Sequence, residues 1–286
     1  MANYKIITDS CCDFTGSQYQ ELGLDYVPLT LLYKGKSHDN FIEPKELKEF
    51  YDGIRSGEMP TTSAVNPDRW SSIMRPVLEE GCDVLCLAFT SGLSTTYQSA
   101  VIAAEELKEE FPERTIRVVD TLCAALGQGM LVYHACHKRD EGLSLDELTT
   151  WVEENKLKVR HEVTVDDLNH LKRGGRVSAT TAFVGSMLNI KPMLRLDNNG
   201  KLETVGKVRG RKAAMELLCK KYDENATDRD TVFIVHGDSP EDAAHLEKTL
   251  KEKYGVKKVL TNYLGGVIGS HTGPGVLSIF FMADHR

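Results

Sequence analysis

Three segments in the first half of the chain repeat one order of elements: a short apolar run, a polar turn and a stretch with helical spacing. The apolar runs are residues 5–8, 83–89 and 116–119, and the predicted helices are 14–22, 94–111 and 123–139. Strands that alternate with helices predict right-handed crossovers and a largely parallel sheet. The three polar turns then lie along one edge of that sheet, which is where ligands bind in such folds.

The second half of the chain is again a mixture of strands and helices. The predicted strands are 161–165, 232–236, 259–264 and 276–282, and the predicted helices are 166–171, 179–188, 211–225 and 240–254. A hairpin is predicted across residues 197–200. At 286 residues the chain exceeds the usual size of one core. We therefore predict an α/β fold with two α/β domains, residues 1–157 and 158–286, of which the first has a Rossmann-like sheet.

The connections between these elements contain two segments without clear periodicity. Residues 59–67 read as a loop, and residues 265–275 hold five glycines and a proline directly before an apolar strand. Glycines permit close approach of the backbone to a ligand, although a sharp turn between domains would use them equally. This second segment contains His271, which we take as a candidate for function.

The composition narrows the classes of partner and compartment. The net charge is −7 and no run of five or more Lys or Arg occurs, so nucleic acid is not expected. No apolar run reaches the roughly 18 to 20 residues that span a bilayer, and the amino terminus lacks the plan of a signal peptide. The seven cysteines form no CxxC pair. These features predict a cytoplasmic protein with reduced thiols.

Hydroxyl-rich turns are the main candidate chemistry. They lie at residues 61–63, 90–96 and 270–272. Each taken alone is more typical of a helix cap or a turn. If they converge, however, hydroxyls, backbone N–H groups and one imidazole could together offset the desolvation of a buried carboxylate.

Catalytic signatures are weak. Asp9 follows a strand, but the next aspartate is Asp13, four positions on rather than the two of a phosphatase pattern, and no phosphate-binding glycine loop occurs. Ser94 lacks a nucleophile elbow. We therefore predict no catalytic residue, metal or cofactor. A serine-dependent acyl hydrolase or transferase that uses Ser94 or Ser91 with His271 is the alternative.

The ordered set of motifs resembles the DegV family of bacterial fatty-acid-binding proteins over almost the whole chain. The matching pieces are Thr8-Asp-Ser10, Thr62-Ser63, Ser91-Gly-Leu-Ser94, Gly127-Gln-Gly129, Leu171-Lys-Arg-Gly-Gly-Arg176, Arg209-Gly-Arg-Lys212 and His271-Thr-Gly-Pro-Gly275. Two positions depart from the family pattern. Ala64-Val65 stand where members commonly have Gln-Pro after the serine, and Cys11-Cys12 replace small or hydroxyl residues.

The resemblance implies that two domains enclose one long-chain fatty acid, with its tail in an apolar tunnel and its carboxylate at the domain junction. Carried onto this chain, with neighbouring hydroxyls, the expected ligand-binding residues are Thr62, Ser63, Ser91, Ser94, His271 and Thr272. Phe183, Met187, Leu188 and Ile190 are candidates for the tunnel wall, although ordinary core packing explains them equally well.

The resemblance also implies a partner. Some members of the family carry the lipid for a two-part fatty acid kinase, in which a separate ATP-binding subunit phosphorylates the bound carboxylate and so feeds phospholipid synthesis. The implied docking residues are Arg173, Arg176, Arg209 and Arg211, from two basic clusters that would otherwise be solvated surface. Transient contact with a membrane is left open.

Overall fold

The computed structural model describes residues 3–166, 168–177 and 189–286. The predicted helix 179–188, with Phe183, Met187 and Leu188, lies outside the described residues. The strands are β1 Tyr4–Asp9, β2 Asp25–Val27, β3 Thr30–Tyr33, β4 Lys36–Asp39, β5 Thr61–Ser63, β6 Asp83–Ala88, β7 Ile116–Asp120, β8 Val159–Thr164, β9 Ile190–Leu196, β10 Leu202–Arg209, β11 Thr231–His236, β12 Lys258–Tyr263 and β13 Leu277–Met282. The helices are α1 Gly16–Glu21, α2 Pro44–Arg55, α3 Pro67–Glu79, α4 Thr96–Glu110, α5 Leu126–Asp140, α6 Leu145–Asn155, α7 Asn169–Arg173, α8 Arg211–Asn225, α9 Pro240–Tyr254 and α10 Gly266–Thr272.

A parallel sheet forms the core of the first half, in the strand order β2-β1-β6-β7. The apolar residues of its central strands, such as Ile6, Ile7, Leu85 and Cys86, are fully buried on both faces. Near-continuous apolar strands are the mark of a sheet covered by helices on both sides. The prediction of a parallel sheet with polar turns at one edge is confirmed.

A mixed sheet forms the second half, in the order β10-β9-β8-β13-β11-β12. Only β11 and β12 are parallel among its pairs, and the remaining neighbours run antiparallel. The predicted hairpin joins β9 to β10. Its turn is closed by a hydrogen bond from the backbone N–H of Asp197 to the carbonyl of Lys201 (2.8 Å) and by one from the N–H of Lys201 to the carboxylate of Asp197 (2.9 Å). The boundary at residue 157 stays a prediction.

Two segments that we predicted to be loops contain regular structure. Within 59–67, β5 pairs with β3 in a small three-stranded sheet, with Thr62 opposite Leu31. Within 265–275, α10 forms, because Asp13 and Asn40 accept hydrogen bonds from the backbone N–H groups of Gly265 and Val267 at its start (3.1 and 2.8 Å). The glycines there also allow close packing: a Cβ on Gly269 would meet the Tyr51 ring.

The largest apolar core is shared by the two sheets. Leu87 and Leu126 from the first half belong to the same buried cluster as Val163 and Phe280 from the second half. Elements from both halves therefore enclose one common interior. Across the described residues, no helix has both the length and the apolar character needed to cross a membrane.

Candidate ligand cavity

A cavity of about 420 Å³ lies between the two sheets. This volume is within the range of roughly 300 to 1,000 Å³ that is usual for small-molecule sites. Its interior wall is largely apolar and includes Val163, Leu196, Leu202, Leu264, Val276 and Phe280. Its polar lining residues include Thr62, Ser94, Arg176 and His271, and we call the region of these four residues the mouth.

Thr62 and His271 are joined at the mouth although 209 positions separate them in the sequence. The Oγ1 atom of Thr62 lies 2.8 Å from Nε2 of His271. β5 supplies the threonine and the last turn of α10 supplies the histidine. The other side of the imidazole packs against Gly174, where a Cβ would lie under 3.0 Å from Nδ1 of His271. The ring is therefore held between a hydroxyl and a bare backbone.

The imidazole of His271 is neutral at physiological pH. Burial, with a smaller contribution from the nearby cations Arg176 and Arg173, lowers the pKa of His271 to about 4. A neutral imidazole has one N–H group and one acceptor nitrogen. When Nε2–H donates to Thr62 Oγ1, the hydroxyl proton of Thr62 is free to donate into the cavity.

The loop between β6 and α4 places two more predicted residues at the mouth. Asp120 Oδ1 accepts the backbone N–H of Ser91 (3.1 Å), and Ser94 Oγ lies 2.8 Å from the Oγ1 atom of Thr96 while accepting the N–H of that residue (3.2 Å). At the start of the loop, the carboxyl of Asp9 accepts the N–H of Phe89 (2.7 Å). Side-chain hydrogen bonds thus fix this loop in place.

All six predicted ligand-binding residues line the cavity: Thr62, Ser63, Ser91, Ser94, His271 and Thr272. Thr272 differs from the others because its hydroxyl donates to Ile268 O within α10 (3.3 Å), and Ser63 is exposed at the rim. Contact of these residues with a ligand stays a prediction.

The four arginines predicted for docking have different surroundings. Arg176 lines the cavity, where it donates to the carbonyls of Leu93 (3.3 Å) and Gly174. Arg211 donates to Asp242 (2.8 Å) and to Gly275 O (2.7 Å), so it ties the glycine-rich segment to α9. Arg173 and Arg209 are exposed. A docking role stays a prediction for all four, and the position of Arg176 points into the site as well.

Sequence reasoning missed two polar residues of the inner wall, His161 and Ser278. His161 is neutral, because burial lowers its pKa well below the ordinary value. Both ring nitrogens are paired: Nδ1 donates to Val159 O (3.0 Å) and Nε2 accepts the N–H of Ala124 (3.1 Å). A polar residue inside an otherwise apolar strand was the available signal for Ser278, whereas β8 holds several polar residues and gave no such signal for His161. Ile190, a candidate for the wall, is not among the lining residues.

The described residues give little support to catalysis at this site. Ser94 pairs with Thr96, and the hydrogen bond of His271 goes to Thr62, so neither Ser91 nor Ser94 forms a nucleophile–base pair with the imidazole in the described structure. Over residues 3–166, 168–177 and 189–286, no group of three His, Cys, Asp or Glu side chains is placed to hold a metal ion.

Comparison with known proteins gives consistent matches over the full chain. The model of the DegV family, described as uncharacterised, matches residues 3–284. A DegV domain-containing protein of Clostridium perfringens is 44% identical, and the alignment covers 100% of this chain and 99% of the relative. Among solved structures, a DegV family protein of Thermus thermophilus described for its fatty acid binding has 34% identity, 98% and 99% coverage and a TM-score of 0.87. A DegV lipid-binding protein of Thermotoga maritima has 31% identity, 100% coverage of both chains and a TM-score of 0.86.

Proposed function

Because this chain belongs to the DegV family, we propose that it binds a long-chain fatty acid with its carboxylate at the mouth and its tail in the apolar interior. The observation that carries the proposal is the Thr62–His271 pair at the mouth of a largely apolar cavity. The uncharged donors Thr62 and His271 suit a carboxylate that must be released or passed on, since they bind it without a permanent ion pair. The guanidinium of Arg176 is already bonded to the carbonyls of Leu93 and Gly174.

The energetics require both parts of the cavity. Burial of about 15 methylene groups at roughly 0.8 kcal/mol each gives about 12 kcal/mol of gross driving force, and association costs about 4 to 15 kcal/mol. The tail alone therefore does not guarantee tight binding. Hydrogen bonds from the mouth to the carboxylate supply the surplus and set which end of the lipid faces outward.

The second part of the proposal is that the bound carboxylate is presented to an ATP-binding kinase subunit, which converts it to an acyl phosphate for phospholipid synthesis. The sequence contains no ATP-binding glycine loop of its own, which fits a carrier that depends on a partner. Arg173 is the last residue of α7, the helix that packs against α10, so an exposed cation lies beside the mouth. Positive charge there would steer a nucleotide-carrying partner to the carboxylate.

Replacement of Thr62 by valine tests the binding proposal. Valine keeps the shape and removes the hydroxyl, and we expect it to weaken fatty-acid binding about tenfold, because a hydrogen bond to a charged group contributes roughly 1.5 kcal/mol. The dissociation constant is measured on delipidated protein by displacement of a fluorescent fatty acid.

The matched control is Thr61→Val, one residue earlier on β5, where the side chain is exposed and does not line the cavity. Equal affinities for the two variants would contradict the role of Thr62. Hydrolysis of an acyl ester by the isolated wild-type chain, lost in Ser94→Ala, would instead support the alternative hydrolase.

Removal of Arg173 and Arg209 together tests the partner. We expect Arg173→Ala/Arg209→Ala to lower the rate of acyl-phosphate formation about tenfold when the chain is mixed with ATP and a fatty acid kinase subunit, because exposed charges at a docking surface act mainly on association. The affinity for the fatty acid should be unchanged. The control is Lys220→Ala/Lys248→Ala, which removes two exposed cations on α8 and α9. A similar loss in both double variants would show only a general effect of net charge.

A further inference from the structure

The inner wall of the cavity carries a buried hydroxyl that no described residue satisfies. Ser278 is 3% exposed and lines the cavity. Among the described residues, none forms a hydrogen bond with its Oγ atom, which faces the open space of the cavity. When an apolar chain fills that space and excludes water, a hydroxyl without a partner costs about 1 to 3 kcal/mol.

The position of Ser278 on β13 places this hydroxyl part-way along the interior. Val276 and Phe280, two residues before and two after it, share its face of the strand and also line the cavity. At about 3.3 Å per residue, each is about 7 Å away along the strand. On the neighbouring strand β8, the residue directly opposite is Val163, which is also part of the wall. A chain that passes from Val276 to Phe280 must pass the hydroxyl.

Neighbouring polar groups on β8 are paired. Both ring nitrogens of His161 have partners, and Thr164, the neighbour of Val163, donates to Pro192 O (2.9 Å). Thr204 on β10 of the same sheet also has a hydroxyl without a described partner, but it does not line the cavity, whereas Ser278 does. A saturated alkyl chain offers no hydrogen-bonding atom, so it would leave the hydroxyl unpaired when the cavity is filled.

We infer that Ser278 makes the cavity favour a fatty acid with a hydroxyl group part-way along its chain. This inference rests on the proposed function and names the class of fatty acid. A chain hydroxyl can accept the proton of Ser278 Oγ and donate its own, which replaces the hydrogen bonds that both groups lose on leaving water. A cis double bond offers only a weak π acceptor at the same depth.

The test separates the hydroxyl of Ser278 from the space that a small residue leaves. Ser278→Ala keeps that space and removes the hydroxyl, whereas Ser278→Thr keeps a hydroxyl and adds a methyl group. Dissociation constants are measured on delipidated protein for octadecanoate, cis-9-octadecenoate and the 10-hydroxy and 12-hydroxy octadecanoates. The readout is the dissociation constant for octadecanoate divided by that for each of the other acids. This ratio isolates the coupling between the Ser278 hydroxyl and the hydroxyl of the fatty acid.

We expect Ser278→Ala to lower this ratio about three- to tenfold for at least one hydroxy acid, as the loss of one hydrogen bond predicts, and Ser278→Thr to keep it near the wild-type value. Thermal melting shows whether each variant is folded. If Ser278→Thr is not folded, the comparison of wild type with Ser278→Ala is sufficient to test the inference. The ratio for cis-9-octadecenoate should change less.

Two failures are distinguishable. In the first, octadecanoate binds to both wild type and Ser278→Ala, and the two proteins give the same ratio for each hydroxy acid or differ only in the ratio for octadecenoate. The inference is then overturned, and fatty-acid binding remains. If the wild-type chain binds none of the four acids, the proposed function itself is wrong, and the inference fails with it.

Discussion

Gly174→Ala is expected to weaken fatty-acid binding about 100-fold, which is more than the loss of the Thr62 hydroxyl alone. A Cβ at this position would lie under 3.0 Å from Nδ1 of His271, so the imidazole must move away from Thr62. The carboxylate would then lose the hydrogen bond from the aligned Thr62 hydroxyl, and that hydroxyl would lose the N–H of the imidazole. Two hydrogen bonds, one of them to a charged group, are together worth roughly 2.7 kcal/mol. The backbone of Gly174 is right-handed helical, so alanine itself is tolerated there.

The binding defect of Gly174→Ala is measured on delipidated protein beside Gly206→Ala. Gly206 lies on β10, where a Cβ would meet nothing within 4 Å, so that variant controls for the change of residue type. A second variant, Gly174→Ala/His271→Ala, removes the ring with which the methyl group collides. We expect its affinity to equal that of His271→Ala alone. Wild-type affinity in Gly174→Ala would show that His271 is not held against this glycine in solution.

The parallel sheet was predictable because each of its inner strands is a short, continuous apolar run that ends in a polar turn. The turn after β6 illustrates this: residues 83–89 read as a strand, and Ser91 and Ser94 follow at the carboxyl edge, as the structure has them. Local patterning gives both the element and its edge in such a sheet.

β5 and α10 were not predictable from local patterns. A three-residue strand of hydroxyl residues has no alternation to detect, and its strand geometry comes from pairing with β3, more than 25 residues earlier. Glycine-rich sequences are poor helix formers, and α10 forms because Asp13 and Asn40, distant in sequence, satisfy its first N–H groups. In both cases tertiary contacts override a weak local preference.

The candidate site shows the same limit. Thr62 and His271 were each selected from a hydroxyl-rich or glycine-rich segment, and only the resemblance to a family joined them, since nothing in their spacing predicts a contact. Arg176 was assigned to docking because it belongs to a basic cluster, whereas the direction of its side chain depends on the carbonyls of Leu93 and Gly174. Which face a charged side chain takes is a tertiary property.

The buried carboxyl of Asp9 is expected to make folding stability depend on pH. Burial raises the pKa of Asp9 to about 6 from its ordinary value of 3.8, although the N–H groups of Phe89 and Cys11 act in the opposite direction. Between these two values the folded state keeps a proton that the unfolded state has released. The stability that this proton provides is therefore fully present below pH 3.8 and is lost as the pH rises through 6.

Asp9→Asn removes this titration, so the free energy of unfolding of wild type minus that of the variant should fall by about 3 kcal/mol between roughly pH 4 and pH 7.5. Urea unfolding at each pH measures this difference, with unchanged m-values as the check on two-state behaviour.

Asp13, whose carboxyl pKa is also raised by burial, is present in both proteins, so its contribution largely cancels in the difference. Asp140→Asn, which removes an exposed carboxylate, is the control for the change of residue type. A flat difference for Asp9→Asn would mean that the Asp9 carboxyl titrates alike in the folded and unfolded chains. Its hydrogen bonds to the loop that carries Ser91 and Ser94 would then fully offset its burial.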